Sequence, residues 1–148
     1  MNEIAKLVED LSNKDNKYAY KCLKQLEEES QMSNSVYLYF DDFVNMLDSP
    51  NSYIRTRGMI LIAANAKWDK DYKIDEIINK YLKHIMDDKP ITARQCIKAL
   101  PTIAKYKLDL VNCICTALRK ADAEIYKNSM QSLVYNDIVT ALREIDSI

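Results

Sequence analysis

Four stretches of this chain share one pattern, and the pattern limits what the chain can fold into. Around Lys21, Arg55, Arg94 and Lys127 a basic residue follows an apolar or small one: Tyr20, Ile54, Ala93 and Tyr126. A leucine stands a few places on each time (Leu26, Leu61, Leu100, Leu133), and an apolar residue trails behind (Leu11, Leu47, Met86, Leu118). The unit recurs roughly every 35 residues, a period typical of stacked helix pairs that cannot bury their apolar faces alone. The expected fold is therefore all-α: a short solenoid of about four antiparallel helix pairs, read as a single domain over residues 1–148.

Spacing within each repeat points the same way. Ile4, Leu7, Val8 and Leu11 fall on one helical face, and Tyr20, Leu23 and Leu26 fall on the next. Val36 to Leu47, with Ser33 or Asn34 as candidate N-cap, pairs with Tyr53 to about Ala66 across the turn Ser49-Pro50-Asn51-Ser52. Ile74, Ile77, Ile78, Tyr81, Leu82 and Ile85 trace a clear amphipathic stripe. Pro90 suits the first turn of the following helix, whereas Pro101 lies inside that helix, where it removes a backbone donor and bends the axis. The last pair runs from about Leu108 to Arg119 and from Asp122 to Glu144, with Asn136-Asp137 a candidate break. The polar outer positions of the first and last helices, among them Asp137, Thr140 and Glu144, suit the ends of a repeat stack.

Composition excludes several kinds of site. The only glycine, Gly58, lies within a helical pattern, so phosphate-cradling loops, dinucleotide fingerprints and nucleophile elbows cannot be built. A formal charge of −1 supplies no global field for DNA, RNA or acidic lipid, although it says nothing against a local basic patch. The longest apolar run, Met59 to Ala64, is far short of the roughly 20 residues a membrane helix needs. The amino terminus lacks the pattern of a secretory signal, so a cytoplasmic protein is expected. Cys22, Cys96, Cys113 and Cys115 lie in helical patterns and read as free buried thiols.

Leu47-Asp48 followed by Ile54-Arg55, and Met86-Asp87-Asp88 followed by Ala93-Arg94, resemble the HEAT-repeat family. Its members place an Asp in the turn between two helices and a Val-Arg-like pair early in the second. The first and last repeats depart from it, with Lys21 and Lys127 in place of Arg and no matching Asp. The resemblance implies a right-handed superhelix, second helices on its concave side and macromolecular binding there.

On this reading Lys21, Arg55, Arg94 and Lys127, with Asp48 and Asp87, form a structural ladder. Arg55 is expected to reach Asp48, and Arg94 to reach Asp87 or Asp88. Cys113 and Cys115 point about 200° apart on a helix, which does not suit a metal, and His84 is expected to be solvated. Trp68 is expected to plug the end of a helix pair against Tyr72, and Tyr20, Tyr53, Tyr81 and Tyr126 to face the core. No catalytic residue, cofactor or metal is expected.

The face of the second helices opposite the core positions holds Gln25, Thr56, Met59, Gln95, Lys98, Thr102, Asn128 and Gln131. Amide, hydroxyl and thioether groups with little charge suit a peptide better than a phosphate backbone. The expected function is therefore a non-catalytic adaptor or scaffold, monomeric, binding a protein or peptide on that face. Nucleic acid is a less favoured partner. The alternative is a nucleic-acid binder similar in architecture to the HEAT-like DNA alkylation-repair glycosylases, resting on a groove through Arg55, Arg57, Arg94, Lys98 and Lys105.

Overall fold

The computed structural model describes residues 2–148, and every regular element among them is helical, with no strand. The α-helices are α1 (Glu3–Glu9), α2 (Asn16–Met32), α3 (Phe40–Met46), α4 (Ser52–Ala64), α5 (Lys73–Leu82), α6 (Pro90–Tyr106), α7 (Val111–Lys120) and α8 (Asn128–Asp146). Short 3-10 turns extend several of them: Asp10–Ser12, Val36–Tyr39, Ala66–Trp68, Lys83–Met86, Leu108–Leu110 and Ala123–Ile125. Two compact units divide the chain, Met1–Tyr72 with α1 to α4 and Lys73–Ile148 with α5 to α8. No helix among the described residues is long and apolar enough to cross a membrane.

In the first unit the helix starts are set by short polar side chains. Asn2 accepts from the Ile4 N–H at 2.9 Å, Asp15 from Lys17 at 3.1 Å and Asn51 from Tyr53 at 2.9 Å. Each satisfies a donor that the helix itself leaves unpaired. The helix expected from Val36 opens otherwise: neither Ser33 nor Asn34 caps it, because Val36–Tyr39 forms a 3-10 turn and α3 begins only at Phe40.

Leu11, Leu26, Phe40, Phe43, Leu47, Leu61 and Ile62 are sealed from solvent. α4 is enclosed on nearly every side, with Arg55, Arg57, Gly58, Met59, Leu61, Ile62 and Ala63 all buried. Both α2 and α3 pack on it, so it has no free polar face. Gly58 is required at the α3 contact: a Cβ there would sit 2.8 Å from the Phe43 carbonyl oxygen and 2.9 Å from the Met46 Cβ.

Polar side chains fasten this unit at both ends of α2. Arg57 donates to the Leu11 carbonyl at 2.8 Å and to Asn16 Oδ1 at 3.1 Å, tying α4 to the link between α1 and α2. At the far end, Asn65 Nδ2 donates to Ser30 Oγ at 3.2 Å and to the Leu61 carbonyl at 2.8 Å. Trp68 Nε1 donates to the Ser30 carbonyl at 2.7 Å. Trp68 therefore closes the end of α2, as expected of a plug at the end of a helix pair, while Tyr72 is exposed. Two of the four tyrosines assigned to the core, Tyr20 and Tyr53, are likewise exposed. Tyrosine has an apolar ring and a polar tip, so helical spacing alone does not assign it a side.

In the second unit α6 begins with Pro90 at its first turn and runs on through Pro101. α8 runs unbroken through Asn136 and Asp137. Ile74, Tyr81, Ile97, Leu100, Ile114 and Val134 fill the core. Lys107, almost wholly buried, ends α6 and places its Nζ 2.7 Å from Asp75 Oδ1 at the start of α5. Tyr126, buried as expected, donates to the Asp87 carbonyl at 2.6 Å.

Candidate functional site

A cleft of about 230 Å³ opens beside α6 and α8, lined by Lys98, Pro101, Asp137, Thr140, Ala141 and Glu144. The register of the two helices explains it. Arg94, Lys98 and Pro101 recur along one face of α6; Asp137, Thr140, Ala141 and Glu144 recur along one face of α8. Ala141 keeps its side of the groove shallow. Pro101 offers a ring and no N–H, so the Ile97 carbonyl loses its usual intrahelical partner beside the cleft.

Arg94 and Asp137 close one end. Arg94 donates from Nε to Asp137 Oδ2 at 2.6 Å and from Nη2 to Oδ1 at 3.4 Å, the fork geometry of a guanidinium on a carboxylate. That hydrogen bond raises the Arg94 pKa. Lys98 and Glu144, by contrast, have no ion-pair partner among the described residues, although they line the same cleft with opposite charges. The arrangement offers a ligand an unpaired cation, an unpaired carboxylate, a hydroxyl and a small apolar floor.

The ladder is only partly as expected. Arg94 turns to Asp137 on α8 and not to Asp87 or Asp88, because a carboxylate from the adjacent helix meets its fork squarely. Asp87 instead holds His84, Nδ1 to Oδ2 at 2.7 Å, and accepts from the Lys89 N–H at 3.0 Å. His84 is accordingly half-buried and paired rather than solvated. Arg55 is buried and donates to the Ser49 carbonyl at 3.0 Å, in the turn that also carries Asp48. Lys21 and Lys127 are exposed, and Lys127 precedes α8 as its N-cap.

Of the proposed binding stripe, Met59 must be withdrawn: it is 0% exposed, since α4 has neighbours where an isolated helix would face solvent. Gln25 is exposed on α2, and Thr56 is half-buried with its hydroxyl turned back to the Ser52 carbonyl at 2.9 Å. In the second unit Lys98 and Thr102 are exposed and Gln95 half-buried along α6. Gln131 donates to the Tyr126 carbonyl at 2.8 Å and to Asn128 Oδ1 at 3.2 Å, so these two amides serve the start of α8. Lys98 alone of the stripe reaches the cleft. The others that line it, Pro101, Asp137, Thr140, Ala141 and Glu144, went unassigned because the outer face of the last helix reads as a solvated end. The signal that marks them is opposite charge recurring at helical spacing on two helices.

Of the residues expected to line a nucleic-acid groove, Arg55 and Arg57 are buried and hydrogen-bonded within the first unit. The four cysteines are free thiols, three of them buried as expected and Cys113 only half-buried on α7. Cys96 is sealed in the core, where burial pushes its thiol far above the usual range, a poor setting for a nucleophile. No group of three or more His, Cys, Asp or Glu side chains among the described residues is arranged to hold a metal ion.

No family model matches the chain, and searches among curated proteins and solved structures return no match.

Proposed function

We propose that this chain is a non-catalytic peptide-binding module, built of HEAT-like helix pairs, that holds its partner in the α6/α8 cleft. The observation that carries the reading is the unpaired Lys98 and Glu144 lining one groove. Here each retains its capacity for a ligand, and the Arg94–Asp137 pair next to them holds the two helices in place. A peptide bearing an acidic and a basic side chain satisfies both.

A random peptide library displayed on phage and panned against the chain tests this. The expected result is enrichment of peptides with both charge signs, and their loss on Thr140→Trp, which fills the groove from an exposed position. Lys98→Glu is expected to select against the acidic side chain and Glu144→Lys against the basic one. Enriched peptides that bind all three variants as well as the parent would remove the cleft from consideration.

A further inference from the structure

The first unit carries a second surface whose charges are arranged against the stability of its own helix. On α2, Lys17, Lys21 and Lys24 lie on one exposed face, and Lys14 stands just before the Asp15 cap. The residues three and four places from Lys17 are Asn13, Lys14, Tyr20 and Lys21; those around Lys21 are Lys17, Tyr18, Lys24 and Gln25. None is acidic, so the helix forgoes the opposite-charge pairs that normally stabilise such a face.

The acids are gathered instead at the other end, as Glu27, Glu28 and Glu29. Apart from the Asp15 cap, the first turn of α2 holds no acid and the last turn no base, so beyond that cap the lysines crowd the end where the helix dipole favours anions. α5 shows the favourable order, with Asp75 and Glu76 first and Lys80 last. Lys14, Lys17 and Lys21 have no ion pair among the described residues, and Lys24 alone is paired, to Glu27 at 3.3 Å.

Two tyrosines flank these lysines with their rings in solvent: Tyr20 is 56% and Tyr53 59% exposed. Each carries a cation near its ring, Lys24 Nζ at 5.2 Å from the Tyr20 centroid and Arg57 Cζ at 5.9 Å from that of Tyr53. The same Arg57 reaches Asn16 Oδ1 at 3.1 Å, which sets Tyr53 beside the first turn of α2. Tyr20 lies one turn further along, four residues after Asn16. Two exposed rings and a row of unpaired lysines thus share one side of this unit.

We propose that the α2/α4 face of the first unit binds single-stranded nucleic acid, with backbone phosphates on Lys14, Lys17 and Lys21 and bases stacked on Tyr20 and Tyr53. Phosphate accounts for the uncompensated lysines, and base stacking on the exposed part of the two rings distinguishes this partner from an acidic peptide, which has no use for them. The surface is independent of the α6/α8 cleft.

The test uses the full chain and a fluorescent oligothymidylate of about 12 nucleotides, with an abasic strand of equal charge as control. Binding is expected at low salt, with a log–log salt slope of about −2 for three phosphate contacts on a single strand. Lys17→Glu with Lys21→Glu should abolish it. Tyr20→Ala with Tyr53→Ala should weaken thymidylate by at least about fivefold, bringing it to the level of the abasic strand. All four positions are exposed, and unchanged circular dichroism would show that the variants are folded. The proposal is overturned by absent binding at low salt, by equal affinity for abasic strand and thymidylate, by displacement with poly-glutamate at equal charge, or by lysine variants that bind as the parent does.

Discussion

Arg94 on α6 and Asp137 on α8 are 43 residues apart in sequence, and Arg94 Nε donates to Asp137 Oδ2 at 2.6 Å. Both side chains are largely shielded, so removing one strands the charge of the other next to the core. Arg94→Ala and Asp137→Ala are each expected to cost about 1.5 to 3 kcal/mol in urea unfolding. The double variant should cost clearly less than the sum, with a coupling of at least about 0.5 kcal/mol. Strict additivity would mean that the two residues act separately.

Gly58 permits α3 to approach α4, and the sign of its effect discriminates packing from propensity. In an exposed helix Gly→Ala stabilises by about 1 kcal/mol. Here the added methyl meets a backbone oxygen at 2.8 Å and the Met46 Cβ at 2.9 Å, neither of which moves without shifting α3. Gly58→Ala is therefore expected to lower stability by about 1 to 3 kcal/mol, seen as a reduced Tm. An increase in Tm would show that α3 yields readily.

What was legible in the sequence follows from how local the physics is. Leu11, Leu26, Leu47, Leu61, Leu100 and Leu118 are all buried, because helical spacing of apolar side chains is a property of a short window. The partner of Arg94 was not legible, because nearby acids at helical reach compete on paper with a carboxylate brought in by tertiary packing. Met59 was misplaced for a related reason: a helix covered from several sides has no polar stripe, so opposite the core means another part of the core. Tyr20 and Tyr53 failed on chemistry rather than position, since an amphipathic ring tolerates either side. The cleft required knowing that α6 and α8 are neighbours, which no single helix reports.

Asp10 and Tyr18 make stability depend on pH at both extremes. Tyr18 donates to Asp10 Oδ2 at 2.8 Å, and chiefly through that bond Asp10 is held below its ordinary value while Tyr18 is pushed up to about 12. Asp10, with a depressed folded pKa, adds stability above the unfolded carboxylate range and loses it as pH falls through the folded value. Tyr18, with a raised folded pKa, adds stability that is complete below about pH 10 and lost on the way to about pH 12, since the unfolded phenol ionises first. Tyr18→Phe is expected to flatten both limbs of a Tm-against-pH curve. Unchanged limbs would exclude this bond as their source.

The four thiols should react in an order set by burial. Cys113 on α7 is half-exposed, Cys115 is buried two residues on, and Cys22 and Cys96 are buried with thiols pushed upward by desolvation. Access favours Cys113, and burial disfavours the thiolate, the reacting species, at Cys22 and Cys96. Treating the native chain with a disulfide reagent near pH 8 should modify one thiol rapidly, and Cys113→Ser should remove that phase. Cys96, next to Tyr81 in the core, should become reactive only as denaturant unfolds the second unit, so its labelling rate reports the opening of that core. Rapid labelling of Cys96 in the native chain would mean that the packing of α6 against its neighbours opens far more readily than a sealed interior allows.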